Sequence, residues 1–134
     1  QLLLSVLENI DRITPKKQSE AGAIYAEKLK KDESVIDWAA HSADHIERMT
    51  RAFDPWPGCF FEYEGEKIRI LEAEVVSSEA NHSPGLVVDD SLTIACGTGK
   101  NLLRPLMLQR PGKKAVPLKD FLNGFKIKKG CVIR

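Results

Sequence analysis

At residue 59 the hydrophobic rhythm of this chain changes, and the fold must satisfy both sides of the change. Before it, Ile46, Met49 and Phe53 recur at the spacing of one helix face. After it, Cys59, Phe61 and Tyr63 alternate at the two-residue period of a strand. Pro55, Pro57 and Gly58 stand between. The prolines end the helix, and the glycine frees the backbone for a new direction. A chain built this way must pack a helical lead-in onto a β-rich body.

On the helical side, Leu3, Val6, Leu7, Ile10 and Ile13 keep helical spacing. They predict a first helix within residues 1–13. It opens in mid-pattern without an N-cap, and the reading expects that something precedes it. Pro15 cannot continue it, so 14–33 reads as a polar connector. A second helix is predicted over about 41–53, capped by Ser42 or Asp44.

On the β side, strands are predicted at 59–63, 67–76, 86–89, 91–96 and 102–109. Glu64-Gly65-Glu66 makes a hairpin turn between the first two. The apolar parity of the second shifts from Ile68 and Ile70 to Leu71, Ala73 and Val75, which predicts a bulge. In 91–96, Leu92, Ile94 and Cys96 should face inward. Asp89-Asp90 and Gly97-Thr98-Gly99 read as turns. Pro105 should mark an edge or a bulge. A short helix is expected over 118–123, with Pro117 at its first turn and Gly124 just past its end. Val132 and Ile133 offer a last short strand. The set predicts a mainly β fold with helices: a small, OB-like closed β-barrel preceded by a helix and linker.

Charge is unevenly placed. The whole chain carries a formal net charge of +1. Residues 62–99 are strongly acidic, whereas in residues 100–134 Asp120 is the lone acid among many cations. Such a tail reads either as a polyanion surface or as a solvated face offset by the acidic segment. No apolar run reaches the roughly 20 residues of a membrane span, so no membrane partner is expected. Cys59, Cys96 and Cys131 are odd in number and far apart. They read as small core residues in a reducing compartment.

The remaining motifs carry little chemistry. His41 and His45 lie four apart, but a zinc site needs further ligands, so they read as surface histidines and no metal is expected. Gly97-Thr98-Gly99-Lys100 lacks the upstream glycine and the following Ser or Thr of a phosphate loop. Glu62, Glu64, Glu66, Glu72 and Glu74 read as outward strand positions. No grouped nucleophile and base is visible, so no catalytic residue is assigned. Gln109-Arg110-Pro111-Gly112-Lys113-Lys114 is a stiff basic turn suited to gripping phosphates. Trp56 reads as a core plug between its prolines ahead of an RNA-stacking residue. Arg51 is left open between a phosphate contact and a partner for a nearby acid.

Several patterns together resemble the methionyl-tRNA formyltransferases. They are Ile24-Tyr25-Ala26-Glu27-Lys28-Leu29 before Ile36-Asp37-Trp38, Arg51-Ala52-Phe53-Asp54-Pro55-Trp56-Pro57-Gly58 with Asp54 in place of the usual Asn, Ser83-Pro84-Gly85, Pro111-Gly112-Lys113-Lys114, and Asp120-Phe121-Leu122-Asn123-Gly124. The likeness covers essentially the whole chain. It implies that 1–13 is the last helix of a Rossmann-like formyltransferase domain, 14–33 an interdomain linker, and 34–134 the C-terminal barrel. The implied enzyme moves a formyl group from 10-formyltetrahydrofolate to methionyl initiator tRNA. Its catalytic and folate-binding residues would lie outside this chain, so no cofactor is expected here. The implied partners are that tRNA and the protein's own N-terminal catalytic domain. The implied place is the bacterial cytoplasm, or an organelle in a eukaryote. Lys28, Lys113 and Lys114 are the first candidates for tRNA contact, and Arg104, Arg110 and Lys126 the second. The rival reading is the equivalent barrel of a sugar-nucleotide or other folate-dependent formyltransferase, with a structural role.

Overall fold

The structure is a computed structural model that describes residues 2–97 and 100–134. Helix α1 (Leu2–Glu8) is followed by a 3-10 turn at Ile10–Arg12. Neither buries a residue, and Leu3, Leu7 and Ile10 stand exposed. The connector to residue 33 is exposed throughout, and a second 3-10 turn (Lys31–Ser34) leads to the first buried side chains, Ser34 and Ile36.

Helix α2 (Ala43–Ala52) forms where the periodicity places it, slightly shorter than expected. The Ser42 hydroxyl caps it by accepting from the His45 N–H at 3.2 Å. Ile46 and Met49 are buried against the sheet, and Phe53 closes the stripe at the C-cap.

Strands β1 (Cys59–Tyr63) and β2 (Glu66–Val76) form the predicted hairpin. Glu64 and Gly65 both take positive φ, 51° and 79°, as a two-residue turn that follows the strand twist requires. The register of β2 against β4 (Leu102–Gln109) slips between Ile70 and Ala73, at the expected parity switch. Ile68 and Ile70 are buried, while Leu71, Ala73 and Val75 are only half so. Pro105 faces this irregularity. It lies in a central strand, not on an edge, so the bulge is the alternative that holds.

The segment between β2 and β4 departs from expectation. Among its described residues only β3 (Ile94–Ala95) is regular strand, and Leu86 and Val87 make isolated bridges. Leu92 takes φ 50° and every side chain from Leu92 to Cys96 is buried, so inward and outward positions do not alternate there. Asp89 replaces part of the ladder by accepting from the Ser91 and Thr93 N–H groups at 2.9 and 3.0 Å. The expected turn at Gly97-Thr98-Gly99 falls partly outside the described residues. Strand β5 (Val116–Pro117), absent from the sequence reading, pairs with β4. Helix α3 (Leu118–Gly124) then starts one residue after Pro117, which is its N-cap, and contains Gly124.

The sheet order is β1-β2-β4-β3, antiparallel throughout, with β5 beside β4. This regular ladder is open, because β1 and β3 do not pair. Irregular backbone continues from both edges. The Ala95 N–H donates to Leu86, the Val87 and Ile133 N–H groups donate to Cys131 and Gly85, and the Glu62 N–H donates to Arg134. Gly85 sits where these strips meet. A Cβ there would stand 2.5 Å from the Ile133 carbonyl oxygen, at a φ of 80°. The core inside is apolar and contains both Cys59 and Cys96, whose thiols burial pushes up to about 12.

Candidate nucleic-acid interface

The basic turn after β4 is built without its lysine side chains. Gln109 Nε2 donates to the Lys113 carbonyl at 2.8 Å, the Lys113 N–H donates to the Arg110 carbonyl at 3.1 Å, and Gly112 takes φ 67°. Lys113 and Lys114 are exposed, surplus to the turn's own bonding. They share a shallow depression with Arg110, Asp120, Phe121 and Phe125.

Arg110 is a fixed member of this group. Its guanidinium holds Glu66 with two bonds, Nη2 at 2.6 Å and Nε at 2.9 Å, and lies 4.4 Å from the Phe125 ring centroid. The bond from Arg110 holds the Glu66 carboxyl below the ordinary carboxylate range. Arg110 thus ties the β1–β2 hairpin to α3 and orients the turn that carries the lysines.

Arg104 is not part of the cluster. It lies six residues back along the strand, about 20 Å away at normal strand rise. Its Nη1 meets Glu74 at 3.1 Å, its Nη2 meets Asp89 at 3.7 Å, and its Nε donates to Thr93 at 3.0 Å. Desolvation works to raise the Asp89 carboxyl, but bonds from Thr93 and Ser91, with Arg104 nearby, outweigh it and hold the carboxyl low. Arg104→Ala should therefore cost about 1 kcal/mol of stability, discounted because the pairs are partly exposed. If the lysine turn is a polyanion surface, Arg104→Ala should leave RNA affinity unchanged, as denaturant titration and a binding isotherm on the same variant would report. A loss of affinity at full stability would return Arg104 to the interface.

Lys126 lines a separate depression with Lys128, Lys129 and Asp90. Lys28 is exposed on the connector. Three residues on, Lys31 lines an open groove of about 900 Å³ together with Lys67, Arg69 and Arg110. Lys31 and Lys67 were missed by the sequence reading. The signal existed for Lys67: it has the outward parity of Arg69, opposite to buried Ile68.

A division of labour runs through the surface. All five ion pairs among the described residues are made by arginines, and none by a lysine. Arg51 resolves toward the acid, holding Glu47 at 2.7 and 3.1 Å. Trp56 is not a plug: it is 61% exposed. The reason is Arg69, whose Nη2 bonds the Asp54 carboxylate at 2.6 Å and the Pro55 carbonyl at 2.9 Å, pinning the loop while its tip faces out. His41 lies ahead of α2, not on it, and stacks on His45 at 4.8 Å. Among the described residues no three His, Cys, Asp or Glu side chains group as a metal site, and no helix is long and apolar enough to cross a membrane.

Comparison with known proteins follows the same outline. Residues 28–126 match the family described as formyl transferase, C-terminal domain. The whole chain is 43% identical over 134 residues to a methionyl-tRNA formyltransferase of Rickettsia massiliae, covering 43% of that protein. Over 129 residues it is 46% identical to one from Rhizorhabdus wittichii, covering 96% of this chain and 41% of that protein. The chain thus spans less than half the length of these curated relatives. Among solved structures, a substituted variant of HypX from Aquifex aeolicus superposes with a TM-score of 0.66 at 22% identity, over 95% of this chain and 23% of that one. A HypX structure in complex with tetrahydrofolic acid gives 0.63 over the same shares. That likeness concerns the fold.

Proposed function

The chain belongs to the formyl transferase C-terminal domain family, and on that premise we propose that it is the tRNA-holding part of a methionyl-tRNA formyltransferase. The observation that carries the proposal is likeness along the full chain to proteins of that name. The relatives' greater length supports a division in which 1–13 ends a catalytic domain, 14–33 links, and 34–134 forms the second domain. The bridging strips at 85–88 and 130–134 favour reading that domain as a small closed, OB-like barrel.

The whole protein would transfer the formyl group of 10-formyltetrahydrofolate to the amino group of methionyl initiator tRNA in the cytoplasm. No donor-binding or catalytic residue is assigned to this chain. Its part is positional. Lys113 and Lys114, set on a turn that Arg110 and Gln109 make rigid, meet phosphates with little ordering cost, and Lys28 adds a contact from the connector. Backbone contacts of this kind read the shape of a helical RNA arm and not its bases. The acceptor end would then reach chemistry located on the partner domain.

Salt dependence tests the electrostatic core of this reading. With about three phosphates neutralised, log affinity for tRNA should fall against log salt with a slope of roughly −2 to −3. A slope near zero, measured by filter binding or anisotropy across a salt series, would remove it.

A further inference from the structure

The groove beside the basic turn has a floor unlike a duplex-binding surface. Four backbones lie side by side there: Val35 bridges Phe60, Phe60 pairs with Arg69, and Arg69 pairs with Gln109. Phe61 and Ile68, of opposite parity, are buried in the core, so the row of four faces outward. The turn at Lys31–Ser34 walls one side and Arg110–Gly112 the other. Val35 is 53% exposed, an open apolar patch on the floor. The Phe60 ring sits so close to Gly58 that a Cβ on that glycine would lie 2.7 Å from it, so the ring's place is fixed by the turn beneath. Four cations line the groove against the single acid Asp32. Two of them, Arg69 and Arg110, are held by Asp54 and Glu66, which leaves Lys31 and Lys67 as the cations without an ion pair among the described residues.

An RNA duplex offers phosphates and 2′-hydroxyls and keeps its base faces stacked inside, so an aromatic floor has nothing to gain from it. An unpaired strand offers both a free base face and a flanking phosphate. We propose that this groove binds a short single-stranded RNA segment, with Phe60 as the stacking platform and Lys31 and Lys67 as phosphate contacts. The inference rests on the RNA-holding reading above, and adds to it a second surface that distinguishes unpaired from paired RNA.

The test uses the full-length protein and three labelled probes: a short single strand, a blunt RNA hairpin, and the same hairpin with a short unpaired 3′ overhang. The overhang should tighten binding about fivefold or more, the range of one stacked base. Phe60→Leu keeps the floor apolar but removes the ring, and should abolish that gain while leaving the blunt hairpin unaffected. Lys31→Ala with Lys67→Ala should weaken the single strand and steepen no other dependence. Thermal melting checks that both variants are folded. An overhang that adds nothing to the wild type, or a gain that survives Phe60→Leu, overturns the groove and leaves the lysine turn standing. A blunt hairpin that fails to bind while the single strand does, with loss in Phe60→Leu, supports the groove and sinks the duplex reading instead. Failure of every probe overturns both.

Discussion

Phe61→Ala should unfold much of the domain at ordinary growth temperatures. Phe61 is 1% exposed, heads the fully buried side chains by volume, and packs edge-on against Trp38 at 6.1 Å. It also pairs with Ile68 across the hairpin, so its loss opens a void where α2, the connector's end and the sheet converge. Truncating a buried Phe costs about 3–5 kcal/mol, through lost transfer energy and the cavity left behind. A domain of this size has a total stability on the order of 5–15 kcal/mol. For about 100 cooperative residues each kcal/mol moves Tm by about 4–8 °C, so a fall of roughly 15–30 °C is expected in calorimetry or circular dichroism. Phe60→Ala, its neighbour in sequence, lies on the groove side and should cost less than half as much. A Phe61→Ala protein that melts within a few degrees of wild type would mean that the parity of β1 has been assigned to the wrong face.

That contrast between neighbouring phenylalanines shows why the hairpin was legible from sequence and the next segment was not. In β1 and β2 one face is buried and one is open, so burial alternates and the pattern is printed in residue type. The bulge was legible for the same reason, as a break in alternation between Ile70 and Leu71. From Leu92 to Cys96 every side chain is buried, so no open face marks the strand. There apolar runs no longer distinguish strand from a buried turn, and it is the carboxylate of Asp89, bonding back to Ser91 and Thr93, that sets the path. β5 was missed because two residues, one of them a proline, carry no period at all.

Charge follows a parallel logic. The basic turn could be read locally, since Pro111 and Gly112 announce it and the lysines adjoin them. The arginines could not. Arg110 finds Glu66 at a separation of 44 residues and Arg104 finds Glu74 at 30. Counting charge by segment therefore left open whether they form a polyanion surface or a face offset by the acidic segment, and for these two arginines folding takes the second course. Lys67 was hidden by the same count, being a cation in an acidic stretch. Trp56 was misread because a tryptophan between prolines looks like a plug until Arg69, from another strand, is seen to fasten the loop from behind. Type and spacing predict which surface a strand presents; they do not predict which distant partner neutralises it.

If the unpaired lysines are the ones left for a ligand, then Lys113→Ala with Lys114→Ala should act on RNA and hardly on the fold. The turn is held by the Gln109 side chain and by backbone bonds, so both side chains can be removed without touching a structural contact. By counterion release, one phosphate contact on a duplex is worth about fivefold in affinity near 0.15 M salt, and two are worth roughly thirtyfold. If the full-length protein has the proposed formyltransferase activity, the double variant should therefore lower kcat/KM for methionyl-tRNA about tenfold or more, and shrink the salt slope by about 2, while Tm stays within a degree or two. The loss should fall on KM, because the contact is made equally in the ground state and the transition state. Lys119→Ala, exposed on α3 and outside the depression, serves as the control for charge alone. Equal losses in the control would reduce the effect to a general field, and kinetics unchanged in the double variant would place the tRNA on some other face. A thirtyfold loss with an unchanged salt slope would be as damaging, since it would trace the defect to the shape of the turn and not to the phosphates it is argued to hold.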